Sequence, residues 1–189
     1  MQLPVAFYFT DDQRDADPLD IASSLPQGSG IVFRHYNSEQ RAETAILLSK
    51  ICKNRDLTLL ISKTPALAAA TKSAGCHIPE YLIQQIPLMK MRFPRLTFTA
   101  ACHSERSLHL AAACKADAAF LSPIFPTASH PGVSSLGAVR AALIKSRVSL
   151  PVYGLGGVNV QNWRQLSSLQ FSGFGAISTF EEQTINPMR

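Results

Sequence analysis

Short apolar runs of four or five residues return along the whole chain, separated by longer segments in which apolar positions recur at three- and four-residue spacing. The runs are Val5–Phe9, Gly30–Phe33, Thr58–Ile61, Gly75–Ile78, Leu96–Ala100, Ala118–Leu121, Val152–Leu155 and Phe174–Ile177. They carry apolar residues at successive positions instead of alternating with polar ones. That pattern suits parallel strands covered on both faces. Eight such strands with helical segments between them predict repeated βα units closing into a (β/α)8 TIM barrel.

The intervening segments predict helices of unequal strength. Ser38–Asn54 carries an apolar stripe through Ala42, Ala45, Ile46, Leu48 and Ile51, with Ser38 as the expected cap. Thr64 and Pro65 open a helix over 65–72, and Ser104 opens another running to Ala113. Segments 136–146 and 159–169 supply the later crossovers, whereas those near Pro18–Leu25 and Glu80–Met89 are short or irregular. At 189 residues the chain is shorter than the roughly 250 of a typical barrel of this kind. The reading is therefore one domain over residues 1–189, with short loops and short or incomplete closing helices.

Composition narrows the function classes. The chain is 46% hydrophobic and 16% charged, as expected of a globular domain with one core. No apolar run reaches the roughly 18 residues of a membrane span, and the first residues lack the basic region and cleavage site of a signal peptide. We therefore expect a cytoplasmic protein with no membrane partner. Cys52, Cys76, Cys102 and Cys114 are widely spaced, which reads as free thiols. The net charge of +5 suits anionic partners, but the basic run Lys90, Arg92 and Arg95 is of a size that reads as solvated surface. No nucleic-acid partner is expected.

Chemistry concentrates at the ends of the last strands. Gly154-Leu155-Gly156-Gly157 closes the seventh run, and Gly175-Ala176-Ile177-Ser178 closes the eighth. Backbone N–H groups after strands seven and eight make a phosphate pocket in barrels of this type, and glycine lets the backbone approach the anion.

These motifs carry a resemblance. Cys-His-Ser at 102–104, Pro-Ile-Phe-Pro-Thr at 123–127 with Ser129 and Pro131-Gly132, Gly-Leu-Gly-Gly-Val at 154–158 with Asn159, and Gly-Ala-Ile-Ser at 175–178 fall in order and in register with the strand ends. Phe-Thr-Asp at 9–11, Arg34 and Gly-Cys-His-Ile at 75–78 add a looser match in the N-terminal half. The chain resembles the thiamine-phosphate synthase family, which includes the thiazole tautomerases. The resemblance implies a transferase of thiamine biosynthesis that joins a pyrimidine diphosphate to a thiazole phosphate and releases pyrophosphate, assisted by Mg²⁺. It also implies that thiazole phosphate sits against Gly156, Gly157, Ile177 and Ser178, with Thr127 and Ser129 on the loop contacting substrate. Homo-oligomers are common in such a family.

Departures from the family pattern cluster elsewhere. Val32 and Tyr36 stand where a Gln and a Lys flank the arginine of strand two, Ser62-Lys63 replaces Asn-Asp, and Glu80 and Leu82 replace a Gln and an Asp. Ala101 replaces a serine, and His130 replaces a lysine. Mg²⁺ needs hard oxygen ligands, which Leu82 and Lys63 do not supply. Lys63 could contact pyrophosphate directly, leaving Glu80 as a displaced metal ligand. The candidate catalytic groups are Arg34, Lys63 and His130, with His77 and His103 in the substrate pocket.

Two alternatives follow from those losses. One is a catalytically degenerate barrel that keeps the phosphate cradle. The other is a thiazole tautomerase-like protein, in which His77, His103 or His130 would move the proton because Pro123 holds the usual histidine position. A zinc site from Cys76-His77 and Cys102-His103 is opposed by strand geometry, since adjacent residues face opposite sides. Arg34 could equally pair with Asp11 or Glu80, and Asp11 reads as structural.

Overall fold

The structure, a computed structural model, describes residues 2–14, 16–127 and 134–177. Eight parallel strands form a closed barrel in chain order: β1 Ala6–Phe9, β2 Gly30–Phe33, β3 Thr58–Ser62, β4 Gly75–Ile78, β5 Thr97–Cys102, β6 Ala118–Leu121, β7 Val152–Gly154 and β8 Gly173–Ala176. Closure is made by β8 against β1, with Phe7 opposite Gly175 and Tyr8 opposite Ala176. The strand ends differ from the sequence expectation by one or two residues. The largest shift is in β5, which runs on to Cys102 because Ala101 and Cys102 still pair with Phe120 and Leu121.

Helices α1 Pro18–Ser24, α2 Arg41–Asn54, α3 Pro65–Ala70, α4 Ile86–Arg92, α5 Glu105–Ala113, α6 Ala138–Lys145 and α7 Val160–Ser168 cover the outside. A 3-10 segment, Glu80–Gln85, leads into α4, which accounts for the irregular pattern there. Among the described residues, no helix is long and apolar enough to cross a membrane.

Side-chain caps form in three helices, with Asp17 accepting from Leu19 N at the start of α1, and two expected caps do not form. Ser104 and Asn159 both form reciprocal capping boxes, with Ser107 and Asn162 respectively. Ser38 does not cap α2. Its carbonyl accepts from Arg41 in a preceding turn, and Gln40 takes the cap position without a side-chain bond. The expected stripe of α2 is also corrected: Ala45 and Leu48 are buried, but Ala42 and Ile46 face solvent and Cys52 is buried in their stead. Thr64 sits at the cap of α3 but makes no side-chain cap bond.

Strand alternation divides the apolar residues into two cores. Tyr8, Ile31, Phe33, Leu59, Ile61, Cys76, Ile78 and Phe98 point outward to meet Ala22, Leu48, Ile86 and Leu108 of the helices. Phe7, Phe9, Val32, Leu60, Ala118, Phe120 and Tyr153 fill the lumen. Four aromatic rings fit there because their neighbours are small. A Cβ at Gly30 would overlap the Phe7 ring, and one at Gly175 would press on Phe9. The rings meet edge to face, with Phe7 and Phe120 centroids 5.3 Å apart and Phe9 and Phe120 centroids 4.9 Å apart. This packed plug closes the barrel below and leaves chemistry to the C-terminal rim.

The four cysteines carry no disulfide. Burial pushes the thiols of Cys52, Cys76 and Cys102 up to about 12, so they are inert packing groups. Lys90 of the basic run is bound to Asp117 at 2.6 Å, and the Arg92 guanidinium lies over the Phe93 ring.

Candidate active site at the C-terminal rim

The rim has two unlike halves. On the β6–β8 side, β7 ends in a turn in which Gly156 and Gly157 have φ of 84° and 65°, a left-handed backbone that only glycine adopts at little cost. Space imposes the same choice. A Cβ on Gly156 would lie 2.9 Å from Pro123, and one on Gly157 would collide with Pro126 and Phe125.

The carbonyls of this turn are tied back. Gly156 O accepts from Phe125 N at 3.0 Å, and Gly157 O accepts from the Asn162 side chain at 2.8 Å. Among the described residues, neither Gly156 N–H nor Gly157 N–H has a hydrogen-bond partner. Anchored carbonyls with unspent amides are the arrangement of an anion nest. Ile177 lies at the end of β8 and packs, partly buried, beside Leu155 on the lumen core. Thr127 follows the Pro123–Pro126 segment. Ser129, His130 and Ser178, also expected in the site, lie outside the described residues.

On the β2–β4 side, side chains are spent on one another. Arg34 follows β2, donates through Nε to Thr10 O at 2.7 Å, and holds its guanidinium 5.4 Å over the Phe9 ring. Its ion pair with Asp11 is long, at 3.9 Å. Burial pushes its pKa below the ordinary arginine value, opposed by nearby Tyr36 and Asp11. Glu80 does not pair with it. Asp11 also accepts from Gln13 N, in keeping with a structural role in the first loop.

Tyr36 shares a 2.6 Å hydrogen bond with the Ser62 hydroxyl. Ser62 Oγ in turn donates to His77 O at 3.2 Å, and Arg41 donates to Ser62 O at 2.6 Å while lying over the Phe33 and Tyr36 rings. Lys63 follows in the left-handed region at φ 69°, its N–H bound to His77 O at 2.8 Å and its side chain exposed. This bracing by Tyr36, Arg41 and Ser62 was not read from sequence, because it joins residues 21 to 26 positions apart.

The histidines separate. His77 points into the lumen above Phe9 and Phe120, buried, with Nδ1 2.9 Å from Thr99 Oγ1. Desolvation, reinforced by Arg34 and His103, pushes its pKa down to about 3, so it is neutral and forms part of the floor. His103 is exposed at the rim, with Nδ1 3.0 Å from Ser122 Oγ. His35 stacks on Phe33, and its buried Nε2 has no hydrogen-bond partner among the described residues. It borders a cavity of about 370 Å³ lined by Asp12, Gln13, Arg14, Asn37 and Ser38, a feature the sequence reading did not name.

A divalent ion does not fit these residues. Glu80 Oε2 accepts from His103 N at 2.7 Å, which fixes it as a backbone brace between β4 and β5. Leu82 packs against the outer core. The other rim carboxylates, Asp11 and Asp12, lie on the loop after β1 and are bound to Arg34 and to Asn37 N. No group of three or more His, Cys, Asp or Glu residues that could hold a metal exists among the described residues. Cys76 and His77 point to opposite faces of β4, which also removes the zinc arrangement.

Comparison with known proteins agrees with this architecture. The chain is 31% identical over 134 residues to a protein of Aquifex aeolicus (strain VF5) provisionally named thiamine-phosphate synthase 2, covering 70% of each. It is 25% identical to a thiamine-phosphate synthase of Desulfitobacterium hafniense (strain Y51), covering 97% of this chain and 92% of the other. A solved thiamine phosphate pyrophosphorylase from Pyrococcus furiosus superposes with a TM-score of 0.80 at 20% identity, over 97% of this chain and 92% of that one, which establishes the shared fold. The family model described as thiamine monophosphate synthase matches residues 8–180, and the chain belongs to that family.

Proposed function

We propose that this chain joins a pyrimidine diphosphate to a thiazole phosphate, forming thiamine phosphate and pyrophosphate. The carrying observation is the Gly156–Gly157 turn after β7, whose two amides have no hydrogen-bond partner among the described residues. In this reading the thiazole phosphate lies on those amides, with Thr127, Ser129, Ile177 and Ser178 contributing to the same pocket. A neutral cradle of N–H groups holds a phosphate without fixed positive charge.

The thiazole ring is then carried toward the half of the rim where Arg34 and Lys63 stand. The methylene C–O bond of the pyrimidine diphosphate breaks, pyrophosphate leaves with the electron pair, and the thiazole nitrogen lone pair forms the new C–N bond. Arg34 offers the charge-assisted contact that an oxyanion leaving group requires. His77, neutral beneath the site, supplies a dry floor with Phe9 and Phe120. His103 and His130 are the candidates for polar contact with the pyrimidine. The reaction joins two water-soluble phosphates and is placed in the cytoplasm, and a homo-oligomer is consistent with it.

Incubation with both substrates, following thiamine phosphate and pyrophosphate together, tests the reading. Equal amounts of the two products, lost in Gly157→Asp, support it. Binding of thiazole phosphate without product would leave a binding barrel in place of a transferase, and absence of binding would remove the site.

A further inference from the structure

We propose that the rim binds a diphosphate group at the C-terminal ends of β2 and β3 through Arg34 and Lys63, with no divalent cation between protein and anion. The proposal rests on the reading of the site given above and deepens it, since the metal-assisted departure expected from the family finds no ligand set among the described residues.

The first argument is where the rim carboxylates are held. Glu80 is spent on the His103 amide, Asp12 accepts from Asn37 N, and Asp11 is divided among Gln13 N, Arg14 and Arg34. Glu80 stands after β4 and the two aspartates after β1, so β2 and β3 lie between them around the barrel. Mg²⁺ requires several oxygens in one near-octahedral array. Here two adjacent aspartates, both bonded to neighbours, stand apart from Glu80.

The second argument is where the cations are. Register pairs Phe33 with Ile61, so Arg34 and Ser62 come level at the rim and Lys63 follows at once. Arg41 adds a third positive charge against the same strand ends, held by the carbonyls of Ser62 and His35 and by no carboxylate. Lys63 has no carboxylate partner among the described residues. Asp11 and Asp12 are near Arg34 and Asp12 is also near Arg41, so three cations against two carboxylates leave this sector with one positive charge in excess.

The third argument is the backbone of Lys63. Asp56, Lys72, Lys115 and Gln170 share its positive φ, but each stands two residues past the end of a helix, where that conformation is the ordinary stop. Lys63 follows a strand, and among the described non-glycine residues it alone has positive φ at the C-terminal rim. A left-handed lysine costs on the order of 1 kcal/mol, and such strain collects where a side chain must be aimed.

Titration calorimetry with inorganic pyrophosphate tests this directly. In EDTA the protein should bind the free anion. Adding Mg²⁺ should leave the affinity unchanged or weaken it, because the metal competes for the probe in solution. Lys63→Gly removes the ammonium while relieving the left-handed backbone, so its expected tenfold or greater loss of affinity cannot be assigned to unfolding. Arg34→Met should lose at least as much. Binding that appears or tightens with Mg²⁺, no binding in EDTA, or a Lys63→Gly protein that binds as well as the parent would each overturn the proposal. Thiamine phosphate formation together with metal-dependent pyrophosphate binding would sink this inference and leave the transferase reading standing. Metal-free pyrophosphate binding with no product would do the reverse.

Discussion

The two halves of the rim are built in opposite ways, and the anion sites proposed for them differ accordingly. From β6 to β8 the site is made of backbone, with the carbonyls of Gly156 and Gly157 tied back and their amides without a partner among the described residues. From β2 to β4 it is made of side chains, and most of them are already bonded to neighbours, as in the Tyr36–Ser62 pair and the Arg41–Ser62 contact. A backbone nest depends on local conformation alone, so it persists as long as glycine does. A side-chain site depends on residue identity at several positions and changes when they are replaced. The departures that the resemblance implies fall mainly on the second half.

Gly157→Asp breaks the comparison most severely. A Cβ there collides with Pro126 and Phe125, the φ of 65° is strained for aspartate, and a carboxylate enters the nest. Thiazole phosphate affinity should fall at least 100-fold, about 2.7 kcal/mol, by calorimetry. Pyrophosphate binding across the rim should persist. Retained thiazole phosphate binding would show that the β7 turn is not the cradle.

Arg34 is next. Its Nε is anchored on Thr10 O, so the guanidinium is oriented before any anion arrives. Arg34→Lys keeps charge but loses both the anchor and the fork, and should recover less than half of the binding energy lost in Arg34→Met. Full rescue by lysine, read by pyrophosphate titration, would mean that charge alone matters on this side.

His77 sharpens the contrast through pH. Its folded pKa of about 3 is depressed below the ordinary 6.5, so below about pH 6.5 the unfolded chain takes up a proton that the folded chain refuses. Its contribution to stability is whole above that pH and is lost as pH falls toward 3. From pH 7 to pH 5 the loss is about 2 kcal/mol for one such group. His77→Gln can keep a bond to Thr99 and should show a flatter stability profile in urea unfolding over that range. An unchanged slope would place a charged or exposed imidazole at His77.

Much of the fold was legible. The eight apolar runs mark the strands because both faces of each are buried, and Gly-Gly marks the left-handed turn after β7 because a conformational requirement is written into residue type. The orientation of His77 against Cys76 also followed from strand alternation. What escaped was determined by contacts distant in sequence. Ile46 sits at helical spacing with Ala42, and both face solvent, since the barrel meets α2 along a line through Ala45, Leu48 and Cys52. Glu80 has the chemistry of a metal ligand, and only the approach of the His103 amide assigns it otherwise. Tyr36 gave no local sign that Ser62 would receive its hydroxyl.

That last pair carries the smallest and most selective expectation. Tyr36→Phe leaves the ring under the Arg41 guanidinium and removes one hydroxyl, while Ser62 Oγ keeps its bond to His77 O. The net loss of a hydrogen bond of this kind is about 1 kcal/mol, which lowers the melting temperature by about 2–4 °C in a protein of this size. Thiazole phosphate affinity should not move, because the β7 turn shares no contact with this network. Pyrophosphate affinity should weaken by no more than a few fold, since Arg41 and Lys63 keep their backbone anchors on Ser62 O and His77 O. A melting temperature equal to the parent would show that Tyr36 is a solvated replacement instead of a brace, and the β2–β4 half would then owe its order to Arg41 alone.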